Sequence, residues 1–255
     1  MCALLERGEV ECWGETASAE LGYGRSYRGD VTPSGKKIDF RGLKVEQIKT
    51  SPKSTCALLE GGSVQCWGYN RHGELGLGHF SMTYEPTKSV ELYGAKATQL
   101  SMGEGFACVV LESGAVKCWG SNAYGQLGLG IAHQPVYRLS SPSKENVDLQ
   151  GGTAKGVSAN LHHVCVVLQG GWVKCWGRNT SGQLGDANLH PKTKPDRQPL
   201  DLGGARVKTV HCGKYHTCVL LEDESVRCWG NNRHAQLGHG YHQPLLRSLT
   251  EPATY

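Results

Sequence analysis

Short apolar stretches recur along the chain, and glycine-rich or charged turns separate them. The stretch from Cys56 to Gly68 shows the pattern well, because apolar residues lie on both sides of the turn Glu60-Gly61-Gly62. Two short apolar stretches joined by a glycine turn are typical of a β-hairpin. The apolar runs are too short for a membrane-spanning helix, so no membrane span is expected. The pattern predicts an all-β protein made of many short strands.

The hairpin pattern occurs five times, and each copy has two cysteines ten positions apart with Trp-Gly directly after the second. The predicted hairpins span residues 2–14, 56–68, 108–120, 165–177 and 218–230. A second motif, which ends in Leu-Gly, follows four of them and begins at Asn70, Asn122, Asn179 and Asn232. The first copy keeps only Glu20-Leu21-Gly22. A short apolar stretch precedes each complete hairpin, so one repeat is a strand, a hairpin and a longer return loop.

The register of the hairpin places the paired cysteines opposite each other. If Gly62 takes the left-handed conformation in a three-residue loop, Leu59 faces Ser63 and Cys56 faces Cys66. The cysteines then form a non-hydrogen-bonded pair within disulfide reach. The sequence predicts five disulfides, Cys2–Cys12, Cys56–Cys66, Cys108–Cys118, Cys165–Cys175 and Cys218–Cys228. The alternative is five pairs of buried free thiols, because cysteine also packs as a small hydrophobe.

The eleventh cysteine, Cys212, has no partner at this spacing and is a candidate for a link to another chain. The chain contains no C-x-x-C motif, and we expect neither a metal site nor a cofactor, with a site near His239 and His242 as the open alternative. The tryptophans are predicted to fill gaps between neighbouring sheets. The asparagine of each second motif is predicted to cap its turn, and Asn179 is also a candidate glycosylation site because it begins an Asn-Thr-Ser sequon.

The repeated pattern G-x-V-x-x-W-G-x-N-x-x-G-Q-L-G resembles the repeat of the regulator of chromosome condensation family, in a cysteine-rich variant. The resemblance covers essentially the whole chain and implies a β-propeller of RCC1-like blades, of which the family usually has seven. About five repeats imply a partial or open ring, and we expect a single repeat domain over residues 1–255. Three explanations stay open: a piece of a longer protein, a closed five-bladed ring, and an open arc whose edges another protein covers.

The resemblance implies several activities that the residues themselves can test. The family's ultraviolet photoreceptor carries repeated G-W-R-H-T motifs, and the tryptophan positions hold Pro52, Glu104, Leu161 and Lys214 here. That activity is disfavoured. No phosphate-binding loop and no convergent set of catalytic groups is visible, so we expect no enzyme and no catalytic residue. His163 and His216 lie at the family's strand-start position, where we expect them to bond the backbone locally.

The sequence favours a non-enzymatic protein–protein interaction or scaffold module built on a disulfide-stapled β-propeller. The alternative is a regulatory propeller that acts on a partner enzyme, as a guanine-nucleotide exchange factor or a protein inhibitor. Lys192, Lys194 and Arg197 form a candidate loop for an acidic protein partner. A net charge of +4, from 27 basic and 23 acidic residues, gives no argument for a nucleic-acid partner. The cysteines favour an extracellular or lumenal location, with an export signal that is not present in this sequence.

Overall fold

The computed structural model describes residues 1–15, 17–24, 31–33, 35–130, 138–186 and 188–238. His239 and His242 lie outside the described residues. The described residues form strands, turns and loops, and none of their segments is a helix long and apolar enough to cross a membrane. The all-β prediction is therefore confirmed.

The strands form five antiparallel sheets within the described ranges, and each sheet follows the order of the chain. The first has β1 (Cys2–Leu4) and β2 (Val10–Cys12), and the second has β3 (Val45–Thr50), β4 (Ser54–Leu59) and β5 (Val64–Gly68). The third has β6 (Ala97–Gly103), β7 (Phe106–Leu111), β8 (Val116–Ser121) and β9 (Arg138–Leu139). The fourth has β10 (Ala154–Asn160), β11 (His163–Leu168) and β12 (Val173–Gly177). The fifth has β13 (Val207–Cys212), β14 (His216–Leu221) and β15 (Val226–Gly230).

The residues divide into two compact units. Unit 1 comprises the described parts of Met1–Glu112, Lys117–Ser121 and Arg138–Glu145, and unit 2 comprises those of Ser113–Val116, Asn122–Tyr137 and Asn146–Tyr255. The single repeat domain over 1–255 stays a prediction. Each unit has its own buried cluster, which includes Trp67 in unit 1 and Trp229 in unit 2.

The hairpins have the predicted register. Cys56 lies opposite Cys66, and the amide of Leu59 donates to the carbonyl of Ser63 at 2.8 Å. Gly62 has φ +84°, and a Cβ there would lie 2.6 Å from the Cβ of Lys96, so both the conformation and the space require glycine. Glu224 takes the same left-handed conformation in the fifth hairpin, with φ +66°. A non-glycine residue there is strained by about 1–2 kcal/mol.

The structure contains the five disulfides that the spacing predicts, each with a Cα–Cα distance of 4.1 Å. Each closes a short hairpin, and a loop of this size contributes about 2–3 kcal/mol in the chain-entropy model. The disulfides staple the two strands next to the turn in every repeat.

A β-bulge is a second regular feature, and it lies between the first two strands of the second, third, fourth and fifth sheets. The pairing skips one residue at the same place in four sheets, between Val45 and Gln47, Ala97 and Gln99, Ala154 and Gly156, and Val207 and Thr209. A β-bulge of this kind bends the strand and increases its twist. The bulge is part of the repeat, although no sequence motif predicted it.

Candidate functional site

Four of the six tryptophans are structural anchors, and the prediction for Trp13 stays a prediction. Each of four buried indoles donates its Nε1 hydrogen to a backbone carbonyl in the second motif of the repeat before it. The pairs are Trp67–Glu20, Trp119–Glu74, Trp176–Gln126 and Trp229–Gln183, at 2.9–3.0 Å. A glycine two residues after the carbonyl packs on the ring: a Cβ at Gly76 would lie 2.6 Å from Nε1 of Trp119. The indoles are therefore not available for a ligand.

The asparagines cap their turns as predicted. Asn70 Oδ1 accepts the amide hydrogen of Leu75 at 3.0 Å, and the same contact occurs five residues apart in the three later motifs. The residue four positions after the capping asparagine differs between two motifs. It is Glu74 after Asn70 and Gln126 after Asn122. Burial raises the pKa of Glu74, while the amide of His72 donates to its carboxylate at 2.8 Å. The four asparagine-capped turns thus share one frame, and at this position Glu74 is ionisable where the other three have glutamine.

Two short segments differ in sequence between the four complete repeats and lie outside the tryptophan anchor and the asparagine cap. One is the residue between Trp-Gly and the capping asparagine, and the other is the turn between the first two strands. These segments lie side by side, since His163 pairs with Gly177 and the amide of Arg178 donates to the carbonyl of His162 at 2.9 Å. Asn231 makes the same contact with Tyr215 at 2.8 Å. In the fourth and fifth sheets the fold therefore brings the two variable segments of a repeat together at one end of the sheet.

In unit 2 these variable side chains form a cation–aromatic patch, which we define as Tyr124, His162, Arg178 and Tyr215. The rings of Tyr124 and His162 stack with centroids 4.8 Å apart. The guanidinium carbon of Arg178 lies 5.0 Å from the ring centroid of Tyr124 and 5.3 Å from that of Tyr215. All four residues are partly exposed. The two rings hold the guanidinium in place and leave it accessible, as recognition of a carboxylate requires.

Two further groups extend the patch. The ammonium of Lys214 lies 5.6 Å from the ring centroid of Tyr215, and Lys214 is exposed. Arg178 Nε donates to the hydroxyl of Thr180 at 3.0 Å, which fixes the plane of the guanidinium further. No sequence motif predicted this patch. The signal available in the sequence was the variation of one position, which holds Tyr69, Ser121, Arg178 and Asn231 in successive repeats.

The structure separates the three basic residues of the predicted partner loop. The ammonium of Lys192 is paired with the carboxylates of both Asp186 and Asp196. Burial opposes its charged form, but the hydrogen bonds that Lys192 donates to these carboxylates, together with their negative charges, outweigh burial and raise the pKa of Lys192. Lys194 and Arg197 are exposed. The charge of Lys192 is therefore compensated within the chain, and a role in partner binding stays a prediction for the other two.

Asn179 is buried, and its Nδ2 donates to Asp186 Oδ1 at 2.7 Å and to the carbonyl of Asn188. The folded structure uses this amide for the turn, and glycosylation stays a hypothesis that requires modification before folding. The thiol of Cys212 donates to the carbonyl of Ser158 at 3.2 Å, and burial raises its pKa to about 12. The predicted link to another chain stays a hypothesis that requires this sulfur to leave its buried position.

His163 differs from expectation. We expected a local bond to the backbone, but its Nε2 lies 2.9 Å from the hydroxyl oxygen of Thr217, 54 residues away in the next sheet. The imidazole is fully buried, and burial, with the charges of His216 and His162, lowers its pKa to about 3. A histidine that pairs across sheets could not be foreseen from its position within one repeat.

Repeated antiparallel sheets, four of which are followed by an asparagine-capped turn and carry an anchored tryptophan, define a β-propeller repeat protein. The chain belongs to the Regulator of chromosome condensation (RCC1) repeat family. One family model matches residues 45–74, 97–126, 154–183 and 207–236, and a second matches residues 61–110 and 171–220. The predicted family is thus confirmed.

Two curated proteins illustrate the relationship. The Ultraviolet-B receptor UVR8 of Arabidopsis thaliana is 30% identical over 93% of this chain and 52% of the receptor. The probable E3 ubiquitin-protein ligase HERC6 of Homo sapiens is 29% identical over 92% of this chain and 23% of the ligase. The chain spans about half or less of the length of these relatives, so the match concerns their repeat portion.

Solved structures confirm the fold. Human WBSCR16 has a TM-score of 0.83 with 22% identity, over 96% of this chain and 63% of that chain. Yeast RCC1 (Prp20) bound to Kap60 has a TM-score of 0.75 with 23% identity, over 90% of this chain and 53% of that chain. The predicted β-propeller of RCC1-like blades is the fold that both share with this chain.

Proposed function

We propose that this chain is a non-enzymatic protein-binding module and that the cation–aromatic patch is its contact surface. The observation that carries the proposal is the position of Arg178 between the rings of Tyr124 and Tyr215. Aromatic and arginine side chains dominate the energetics of protein interfaces, and a guanidinium that is already held in place loses little entropy on binding. Yeast RCC1 bound to Kap60 supports the proposal, because a chain with the same fold binds a protein.

The patch favours a partner that presents carboxylates. Arg178 and Lys214 supply two cations next to one aromatic ring, Tyr215. No carboxylate of this chain forms a salt bridge with either of them among the ion pairs of the described residues. An acidic segment can therefore pair with both cations while its apolar atoms pack against the rings. The frame beneath the patch is stapled by the Cys165–Cys175 and Cys218–Cys228 disulfides, so the surface is rigid before binding.

The test compares two arginines of the same chemistry. Arg206 also lies over an aromatic ring, with its guanidinium carbon 3.6 Å from the centroid of Trp172, but it is outside the patch. Proteins retained by the immobilised wild-type chain are identified, and the purified partner is titrated against wild type, Arg178→Glu and Arg206→Glu. We expect Arg178→Glu to weaken binding about tenfold or more, which corresponds to about 1.4 kcal/mol. The control should stay within about twofold.

Equal losses in the two variants, or no loss in either, would overturn the assignment of the patch. The alternative function, a propeller that regulates a partner enzyme, is tested with the same purified partner. If the partner is a small GTPase, nucleotide release is measured with and without the chain. Accelerated release would replace the scaffold function with exchange activity, whereas binding without any change in turnover supports the scaffold.

We also propose an extracellular or lumenal location. Five disulfides in one small chain are compatible with an oxidising environment, in which such cross-links persist. Alkylation of thiols in intact cells, followed by disulfide mapping of the isolated chain, tests the location. Oxidised pairs support the proposal, and five reduced pairs would place the chain in a reducing compartment.

A further inference from the structure

A buried group of sulfur and nitrogen atoms lies in unit 2, where the fourth and fifth sheets meet and one residue along the chain from His162 of the cation–aromatic patch. The ligand atoms of His163, Cys165 and Cys212 all lie within 4.8 Å of one another. Cys175 joins this group through its disulfide with Cys165. One histidine and three cysteines are the donor set of a Cys₃His zinc site. The four residues come from three strands, β11, β12 and β13.

The protonation state of His163 suits a metal ligand. The hydroxyl of Thr217 donates to the carbonyl of Gln183 at 2.8 Å, so its oxygen accepts the Nε2 hydrogen of His163. The remaining nitrogen, Nδ1, then carries a lone pair, and it is buried without a hydrogen-bond partner. A buried polar atom without a partner is costly. A histidine that donates one N–H to a hydroxyl and offers the other nitrogen has the arrangement that second-shell groups impose on metal ligands.

The distances also suit a metal. Three atoms that lie within 4.8 Å of one another have a common centre about 2.8 Å or less from each. Zinc requires about 2.3 Å to sulfur and about 2.0 Å to nitrogen, so the sulfur atoms have to move inward by at most about 0.5 Å and the nitrogen by at most about 0.8 Å. The first strands of the second, third and fourth sheets hold Thr50, Met102 and Ala159 at the position of Cys212, and none of these is a thiol.

We propose that this cluster is a redox-gated site for a thiophilic divalent cation such as Zn²⁺. In the oxidised chain, Cys165 and Cys175 are bonded to each other and the site is closed. A dithiol reductant opens it: the reductant is oxidised to its own disulfide, and Cys165 and Cys175 each gain a hydrogen. The cation then binds Cys165, Cys175, Cys212 and His163, and the three thiols release three protons to solvent. A bound cation deprotonates thiols that are otherwise protonated.

The first experiment avoids reducing the other four disulfides. The variant Cys175→Ser, kept anaerobic, leaves Cys165, Cys212 and His163 free while the remaining hairpins stay oxidised. Co²⁺ is the probe, because thiolate ligation gives a sulfur-to-cobalt charge-transfer band. We expect one Co²⁺ per chain, displaced by Zn²⁺. Adding Cys212→Ala should weaken Co²⁺ binding at least about 100-fold, because it removes a ligand rather than a supporting contact.

The matched control is Cys66→Ser, which frees Cys56 in an equivalent hairpin. In the sheet that follows this hairpin, Met102 occupies the position of Cys212. This variant should show no charge-transfer band. The same band in Cys66→Ser, or in Cys175→Ser with Cys212→Ala, would show nonspecific thiol ligation and overturn the site. A Cys165–Cys212 disulfide in Cys175→Ser, detected by peptide mapping under anaerobic conditions, would also overturn it in favour of thiol exchange.

The second experiment uses the wild-type chain. The chain is reduced with a dithiol, and its thermal unfolding is measured with and without Zn²⁺. We expect Zn²⁺ to raise the unfolding temperature of the wild type and to leave that of Cys212→Ala unchanged. An equal rise in both, or no rise in either, would count against the site. Because the patch residues are untouched in these variants, partner binding is an independent measurement.

Discussion

The contact between Gly76 and Trp119 is the sharpest test of how the repeats hold together. Gly76 has φ +70°, and an added Cβ would lie 2.6 Å from the indole Nε1 and 2.9 Å from Cδ1. The indole is fully buried and donates to the carbonyl of Glu74 at 3.0 Å. The substitution Gly76→Ala therefore strains the backbone and displaces the ring. Backbone strain costs about 1–2 kcal/mol, and overpacking with the lost hydrogen bond adds about 2–3 kcal/mol.

Gly78 provides the control within the same segment. It has φ +83°, but a Cβ there would meet nothing within 4 Å. Gly78→Ala therefore carries the backbone strain alone, partly offset by the lower entropy of the unfolded chain. Urea unfolding of both variants, with disulfides intact, is followed by circular dichroism. We expect Gly76→Ala to lose about 2–3 kcal/mol more than Gly78→Ala. Equal losses in the two variants would refute the claim that the tryptophan needs this glycine.

Three further predictions concern single positions. Glu224→Gly should raise the free energy of unfolding by about 1 kcal/mol, because it relieves left-handed strain and loses just an exposed contact with Lys208; a lower thermal midpoint would contradict this. Glu74→Gln should raise the thermal midpoint at pH 7. Burial raises the pKa of Glu74, so its ionised form lowers the stability of the wild type at pH values above the pKa of a free glutamate. The gain in thermal midpoint should therefore fade as acid protonates Glu74 in the wild type. A gain that does not depend on pH would exclude this cause. Under non-reducing conditions iodoacetamide should label Cys212, the free cysteine of the described residues. Labelling should be slow in the native chain and fast in urea, because burial raises the pKa of the thiol to about 12. Equal rates in the two states would contradict its burial.

The sequence predicted those parts of the fold that depend on contacts within one repeat. A left-handed glycine next to the turn sets the register, and the register sets the disulfides, so Gly62 and the pair Cys56–Cys66 followed from local geometry. The turn caps followed in the same way, because Asn70 reaches Leu75 within one motif. These features need no knowledge of neighbouring repeats.

Contacts between repeats were predicted in kind but not in detail. The tryptophans were expected to fill gaps, but the carbonyl that each indole would bind depends on how one sheet lies against the previous one. Arg178 meets Tyr124 and Tyr215 for the same reason, since both are distant in sequence. The expectation for His163 failed because its partner, Thr217, belongs to another repeat. Periodicity predicts that repeats stack, but it does not specify which side chains the stacking brings together.

The frame and the variable positions therefore have different physical roles. Frame residues such as Trp119 and Asn122 are buried and make the same contacts in each complete repeat, so their substitution should lower stability. Arg178 and Cys212 occupy positions where the other repeats hold unrelated residues, so the frame does not require them. Arg178→Glu should leave the free energy of unfolding nearly unchanged while it weakens partner binding about tenfold. Cys212→Ala should cost about 1 kcal/mol, because the thiol loses its contact with Ser158, while it weakens Co²⁺ binding. If Arg178→Glu instead lowers stability and binding together, Arg178 belongs to the frame and the patch loses its basis. If Cys212→Ala lowers stability without weakening Co²⁺ binding, Cys212 is a frame residue and the metal site loses its basis.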